Sequence, residues 1–216
     1  MVRATINISP KACRVYIILK PGLIIYLFTF TVILIILPKI ICLKTILNEQ
    51  QISLTLKRLA HQVLENHIDF TDTVIIGLQP RGIYVSDKIV EVLRTNLKGK
   101  ALNYGILDIT FYRDDVRREI KVPNKTDINF SIENKNVILI DDVLYTGRTI
   151  RAALDALLDF GRPLKVELCV LIDRRFSRQL PIQPDYAGKV IDALISQKVI
   201  VKWKEKDAAT EVVITE

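Results

Sequence analysis

Apolar residues recur at Ile52, Leu56, Leu59, Ala60, Val63 and Leu64, the spacing that lines one face of a helix. Asn48, ahead of Glu49, Gln50 and Gln51, supplies its start, with the Asn side chain as cap and a Gln reaching back. Thr73–Leu78 is a short apolar run rich in β-branched residues, which predicts a buried strand. Gln79–Gly82 reads as a loop, Ile83–Leu97 as a second helix and Leu102–Ile109 as another strand. Residues 110–136 are charged and lack a sustained period, which suits a long loop or a small antiparallel flap. Val137–Ile140 predicts a four-residue apolar strand, and Thr149–Phe160 an amphipathic helix stopped by Gly161 and Pro163. Leu164–Ile172 follows as a strand, then a Pro-rich stretch, then two late strands near Val199–Trp203 and Glu211–Ile214. Strands alternating with helices predict an α/β fold with a mostly parallel twisted sheet covered by helices on both faces.

The segment ahead of these elements breaks the pattern. From Gly22 to Leu37 sixteen residues carry no charge, between Pro21 and Pro38. As a helix they would span roughly 24 Å, short of a bilayer core of about 30 Å. Lysines flank both ends, which leaves an orientation undecided, and no small-residue cleavage signature follows. Three readings stay open: a start assigned too far upstream, a membrane anchor at 22–37, or an extra packed helix. The expected organisation is a hydrophobic extension at 1–44 and one domain at 45–216. With either the first or the last reading the domain is cytoplasmic, and an anchored form must still face the cytosol.

Charge follows the same division. The net charge is +7, but residues 1–44 hold six basic groups and no acid, leaving 25 basic against 24 acidic groups in the rest. The basic balance therefore says little about what the domain binds. Cys13, Cys42 and Cys169 are odd in number and match no metal-ligand spacing, so they read as structural thiols in a reducing compartment.

The chemistry concentrates in Val137-Ile138-Leu139-Ile140-Asp141-Asp142-Val143-Leu144-Tyr145-Thr146-Gly147-Arg148-Thr149. An apolar strand ends in two adjacent acids, and a short loop with hydroxyls and a glycine opens a helix. The carboxyl end of a parallel strand is the usual ligand crevice, and a helix N-terminus holds phosphate through its unpaired N–H groups and positive partial charge. Gly147 permits close backbone approach, while Thr146 and Thr149 offer hydroxyl donors. The carboxylates suit the two hydroxyls of a ribose or a hydrated Mg²⁺. The glycine spacing and Lys-Ser/Thr pair of a Walker loop are absent. No Ser-His-Asp or Cys-His constellation is present either.

This run resembles the motif with which type I phosphoribosyltransferases bind phosphoribosyl pyrophosphate (PRPP). Together with Gly77-Leu78-Gln79-Pro80-Arg81-Gly82, Leu107–Asp115 and Leu180–Lys189, it is similar to the PyrR family, pyrimidine-operon attenuation regulators that are also uracil phosphoribosyltransferases. The resemblance covers roughly Lys44 to the C-terminus and implies the type I fold with a flexible flap and a small hood. It implies that uracil and PRPP give UMP and pyrophosphate with Mg²⁺ as cofactor. Asp141 and Asp142 would grip the ribose hydroxyls, and Tyr145 to Thr149 would wrap the 5′-phosphate. Pro80, Arg81 and Gly82 would meet pyrophosphate, joined by Arg113, Arg117 and Arg118 of a flap running from Asp108 to about Asp127. Pro80 also makes a cis Gln79–Pro80 bond cheap, about 0.5–1 kcal/mol, and a cis bond is predicted there. Asp173 would orient metal-bound water alongside Asp141 and Asp142, or else pair with Arg174 or Arg175. Uracil would sit under Arg174–Leu180, with Arg174, Arg175 and Arg178 around it.

PyrR relatives also imply a UMP-responsive leader RNA as partner, and a homo-oligomer. Lys57, Arg58 and His61 recur at helical spacing on the first helix, with Arg178 and Lys189 further on. Asn66 and Gln183 stand where relatives often carry a basic residue, and phosphate contacts supply most non-specific affinity for RNA. A purine phosphoribosyltransferase is the remaining alternative.

Overall fold

The computed structural model describes residues 14–16, 41–113, 125–194 and 196–215. In chain order these form strands β1 (Arg14–Tyr16) and β2 (Ile41–Leu47), helix α1 (Glu49–Asn66), β3 (Thr73–Leu78), α2 (Gly82–Leu97) and β4 (Asn103–Leu107). A single 3₁₀ turn at Thr110–Tyr112 follows, then β5 (Asn136–Leu144), α3 (Arg148–Leu157), β6 (Lys165–Arg175), β7 (Tyr186–Asp192), β8 (Lys198–Lys202) and β9 (Glu211–Thr215). The apolar segment 22–37 and Arg117 and Arg118 of the predicted flap lie outside the described residues. Among the described residues no helix is long and apolar enough to cross a membrane.

Five strands form a parallel sheet in the order β4-β3-β5-β6-β7, and β1-β2-β9-β8 form a second, antiparallel sheet. Successive side chains of a strand point to opposite faces, and in β3, β5 and β6 of the parallel sheet both faces are largely buried. Ile75, Ile138, Ile140, Cys169 and Leu171 pack with α1 and α2, while Val74, Ile76, Val137, Leu139 and Val170 pack with α3. That two-sided burial is why these strands read as unbroken apolar runs and not as alternating ones. Burial also pushes the Cys169 thiol up to about 12, which suits an inert structural thiol.

The first helix starts as the sequence predicts: Asn48 accepts from Gln51 N at 2.9 Å, and the Gln51 side chain accepts from Asn48 N at 3.0 Å. Elsewhere the boundaries move. The central strand does not stop at Ile140 but runs through both acids to Leu144, because its parallel pairing with β6 continues to Asp173. The third helix ends at Leu157, three residues before Phe160. Three described strands, β1, β2 and β7, escape the sequence pattern altogether. Edge strand β7 was read as part of the Pro-rich stretch, and β2 begins ahead of residue 44 and pairs with β9.

Candidate active site

The carboxyl ends of β3, β5 and β6 converge beneath the second sheet, and the chemistry-bearing residues gather there. Adjacent acids on one strand project to opposite sides, and the two acids of β5 open on different clefts. Asp141 lines a cleft of about 280 Å³ with Arg113, Val143 to Thr149 and Gln179. Asp142 lines a cleft of about 480 Å³ with Arg81, Val143, Tyr145, Arg174 and β8 residues Lys198 to Val201. Val143 and Tyr145 belong to both clefts, so the end of β5 is the rim between them.

In the first cleft the loop Tyr145–Gly147 turns directly into α3. Gly147 holds φ at +92°, the left-handed region that favours glycine. A Cβ there would stand 3.2 Å from Ile182 Cδ1. Gly147 at the cap position has no side chain to satisfy this helix start, in contrast to Asn48 of α1, and only a long contact from Arg148 N to Thr146 Oγ1 at 3.4 Å touches it, so its positive end lies at the cleft, the arrangement that binds anions. Arg113, at the root of the flap, donates to Thr149 Oγ1 at 3.4 Å, and its charge acts on Asp141. It thus stands beside the Tyr145–Gly147 loop, in the cleft that Asp141 lines.

Electrostatics set the acid pair apart. Burial pushes the Asp141 carboxyl well above the usual carboxylate range, reinforced by the neighbouring Asp142 charge; Asp142 N donates to Asp141 Oδ1 at 2.8 Å. Burial raises Asp142 too, opposed first by the Val143 N–H that donates to it at 2.8 Å, then by the Asp141 side chain and by the Arg81 charge. Two such groups hold a proton readily until cationic or hydroxyl ligands arrive.

In the second cleft Gln79–Pro80 is cis. Arg81 Nη1 donates to Val201 O at 2.5 Å and lies 3.6 Å from Asp207. Gly82 is the first residue of α2, where a Cβ would lie 2.7 Å from Ile140 O; its role visible here is to let α2 approach β5. Arg174 is buried over the Tyr145 ring at 4.1 Å and donates to the carbonyls of Leu194 and Gln197 at 3.1 and 3.0 Å. Arg175 points away to an exposed pair with Asp192 at 2.9 Å. Asp173 pairs with Arg178, and not with Arg174 or Arg175. Asp207 and Lys198 to Val201 were not picked out as cleft residues by sequence reasoning; they lie in a loop and a short late strand with no motif of their own.

A profile of the phosphoribosyl transferase domain matches residues 43–206. A Picosynechococcus protein named Bifunctional protein PyrR is 46% identical over 163 residues, 75% of this chain and 91% of its own. One of the same name from Halalkalibacterium halodurans is 43% identical over 175 residues, 79% of this chain and 96% of its own. The chain belongs to the PyrR family. Its fold is that of the type I phosphoribosyltransferases: the hypoxanthine phosphoribosyltransferase of Trypanosoma cruzi superposes with a TM-score of 0.61 at 17% identity, over 79% of this chain and 95% of that one. Residues 137–149 thus run along the central strand of a phosphoribosyl transferase domain and into the start of α3.

Of the residues the resemblance offered to RNA, Lys57 and His61 line a cleft of about 640 Å³ between α1 and α2, together with Lys88. Arg58 instead donates to the carbonyls of Ala187 and Gly188 at 3.2 and 2.5 Å, tying α1 to β7.

Proposed function

We propose that the chain transfers ribose 5-phosphate from PRPP to uracil, giving UMP and pyrophosphate. The observation that carries this reading is the pair of clefts sharing one rim: an uncapped helix start on one side, a cleft with Arg81 on the other, and one carboxylate in each. A molecule with a phosphate at one end of its sugar and pyrophosphate at the other matches that division. Tyr145 to Thr149 hold the 5′-phosphate, with Arg113 as a second wall. Asp141 and Asp142 accept from the ribose hydroxyls at the rim. Arg81 meets pyrophosphate after leaving Asp207, and uracil lies between Tyr145 and β8, within reach of Arg174. As the C1–O bond to pyrophosphate loosens, positive charge builds on the ribose, and the acid pair stabilises it by position alone. No covalent nucleophile is required.

Among the described residues no three His, Cys, Asp or Glu groups gather as a metal cage. That fits Mg²⁺, which keeps several waters and is held by one or two carboxylates plus substrate phosphates. Asp141 and Asp142 would hold it, and the ion would neutralise the departing pyrophosphate. The test is an assay of the purified protein with PRPP and Mg²⁺ against uracil, hypoxanthine and guanine. UMP formation with uracil alone is expected; use of a purine in preference to uracil refutes the substrate, and indifference to PRPP refutes the reading.

A second reading, UMP-responsive binding of a leader RNA, is favoured by the cleft in which Lys57, His61 and Lys88 meet, though Glu49 and Glu91 line it as well. A gel shift with the organism's own pyrimidine-operon leader, with and without UMP, tests it; the absence of a UMP-dependent shift removes it.

A further inference from the structure

Arg178 lies in the stretch that the resemblance gives to the base, yet its guanidinium is wholly engaged with protein. Nε donates to Ile182 O at 3.0 Å, and Nη1 to the carbonyls of Leu144, Tyr145 and Arg174 at 3.2, 2.5 and 2.9 Å. Nη2 holds the Asp173 carboxylate. These acceptors come from the end of β5 with its phosphate loop, from the end of β6, and from the loop reaching Ile182. The side chains of Arg178 and Asp173 are only 21% and 12% exposed. The same loop braces the phosphate loop again, since Gln179 N and Leu180 N both donate to Thr146 O, at 3.0 and 3.3 Å.

Peptide planarity turns this into a statement about the cleft. In a trans peptide the C=O of one residue and the N–H of the next point in opposite directions. Drawing the Leu144 and Tyr145 carbonyls onto one guanidinium therefore turns the N–H groups of Tyr145 and Thr146, two cleft-lining residues, away from it. Both carbonyls accept from Nη1, while Nε and Nη2 of the same planar group hold Ile182 O and the Asp173 carboxylate, a spread of fixed donors that one flexible ammonium does not reproduce.

We propose that Arg178 and Asp173 are a positioning pair for the 5′-phosphate loop, with Arg178 setting the direction of the loop's N–H donors and Asp173 serving as its counter-ion. The inference rests on the phosphoribosyl reading of this site. It removes Arg178 from base recognition and Asp173 from the metal.

The full chain, with Arg178→Ala, Arg178→Lys, Asp173→Asn and the Arg178→Ala/Asp173→Asn double variant, is titrated with UMP and with uridine, which lacks the phosphate. KM for PRPP and uracil and the Mg²⁺ half-saturation are measured alongside. Arg178→Ala is expected to weaken UMP by roughly tenfold to a hundredfold, the worth of one or two bonds to a charged group. Uridine affinity and KM for uracil should stay within about twofold, the usual scatter of independent sites. Added guanidinium ion should restore part of the UMP affinity. Asp173→Asn should weaken UMP with unchanged Mg²⁺ half-saturation, and the double variant should be no weaker than Arg178→Ala. Should Arg178→Ala not fold, Arg178→Lys and Asp173→Asn carry the same expectation. An unchanged UMP affinity with a raised KM for uracil would return Arg178 to the base, and a shifted Mg²⁺ requirement in Asp173→Asn would return Asp173 to the metal; either overturns the pair. If the wild-type chain neither binds UMP nor uses PRPP, the parent reading fails, and this inference fails with it.

Discussion

Replacing Asp141 by Asn should stabilise the folded chain while crippling it. Asp141 is 7% exposed, and burial together with the Asp142 charge raises its carboxyl well above the usual range. An acid raised on folding binds its proton more tightly in the native state than in the unfolded one. At neutral pH the ionised carboxylate therefore subtracts stability, and the loss grows as pH rises from near the ordinary value of 3.8 through the raised native value. Asn removes the charge and keeps the oxygen that accepts from Asp142 N at 2.8 Å. A tenfold change in an ionisation equilibrium is worth about 1.4 kcal/mol, and 1 kcal/mol moves the melting point of a domain this size by about 2–4 °C. For each tenfold by which folding shifts that equilibrium, Asp141→Asn should melt about 3–6 °C higher at pH 7.5, and it should converge with the wild type near pH 4. Turnover should fall by roughly tenfold to a hundredfold for the loss of one charge-assisted bond to the sugar. Calorimetric melts across pH, read beside an initial-rate assay, decide it. A variant that melts at or below the wild type at pH 7.5, or a gap that does not change with pH, refutes the reasoning.

Three further outcomes follow from the same geometry. Gly147→Ala places a side chain at φ +92° and 3.2 Å from Ile182 Cδ1; it should lose about 1–2 kcal/mol of stability and most UMP affinity, by thermal melt and UMP titration. Burial would raise Glu167, but hydrogen bonds from Lys165, His67 and Tyr186 hold it at about 2, below its ordinary 4.5. Its contribution is complete above pH 4.5 and lost as pH falls through about 2, so Glu167→Gln should melt lower at pH 7 and show a shallower loss in acid. Asp207→Asn removes the ionic partner of Arg81 beside Trp203, the one Trp of the chain. Its stability should change by less than about 1 kcal/mol, while Trp203 emission should become more readily quenched.

What the sequence disclosed and what it withheld have separate physical causes. The first helix was legible because its cap and its apolar stripe are local: Asn48 and Gln51 bond each other within one turn. The sheet was legible as apolar runs because β3, β5 and β6 are buried on both faces. Strand β7 was not, because an edge strand is held by what crosses it. Arg58 grips its Ala187 and Gly188 carbonyls, and Gly188 lies so close to Leu171 O that a Cβ would stand 2.4 Å away. No periodicity announces such contacts. The Tyr145–Gly147 loop and the acid pair stood out through their motif, but partners could not be assigned to single arginines. Arg174, Arg175 and Arg178 lie within five residues of one another, yet one stacks on Tyr145, one is paired at the surface and one braces the loop. Side-chain direction at the frayed end of a strand is decided by tertiary neighbours.

The same reasoning explains why the two acids are adjacent and not one residue apart. Side chains at i and i+2 of a strand share a face, so an Asp-x-Asp arrangement would crowd both carboxylates into one cleft and leave the other without an acid. Adjacency sends Asp141 toward the loop that begins α3 and Asp142 toward Arg81 and β8. Each carboxylate then has a different cation nearby, Arg113 for Asp141 and Arg81 for Asp142. The two carboxyls still hydrogen-bond one another at the rim, and burial together with the Asp142 charge raises Asp141, so the pair holds a proton readily. A ligand that spans the rim can engage both, whereas a ligand confined to one side can engage only one. Pairing with β6 as far as Leu144 and Asp173 keeps the backbone extended through the acids, so each carboxyl opens on its own cleft while the two stay in hydrogen-bond contact at the rim.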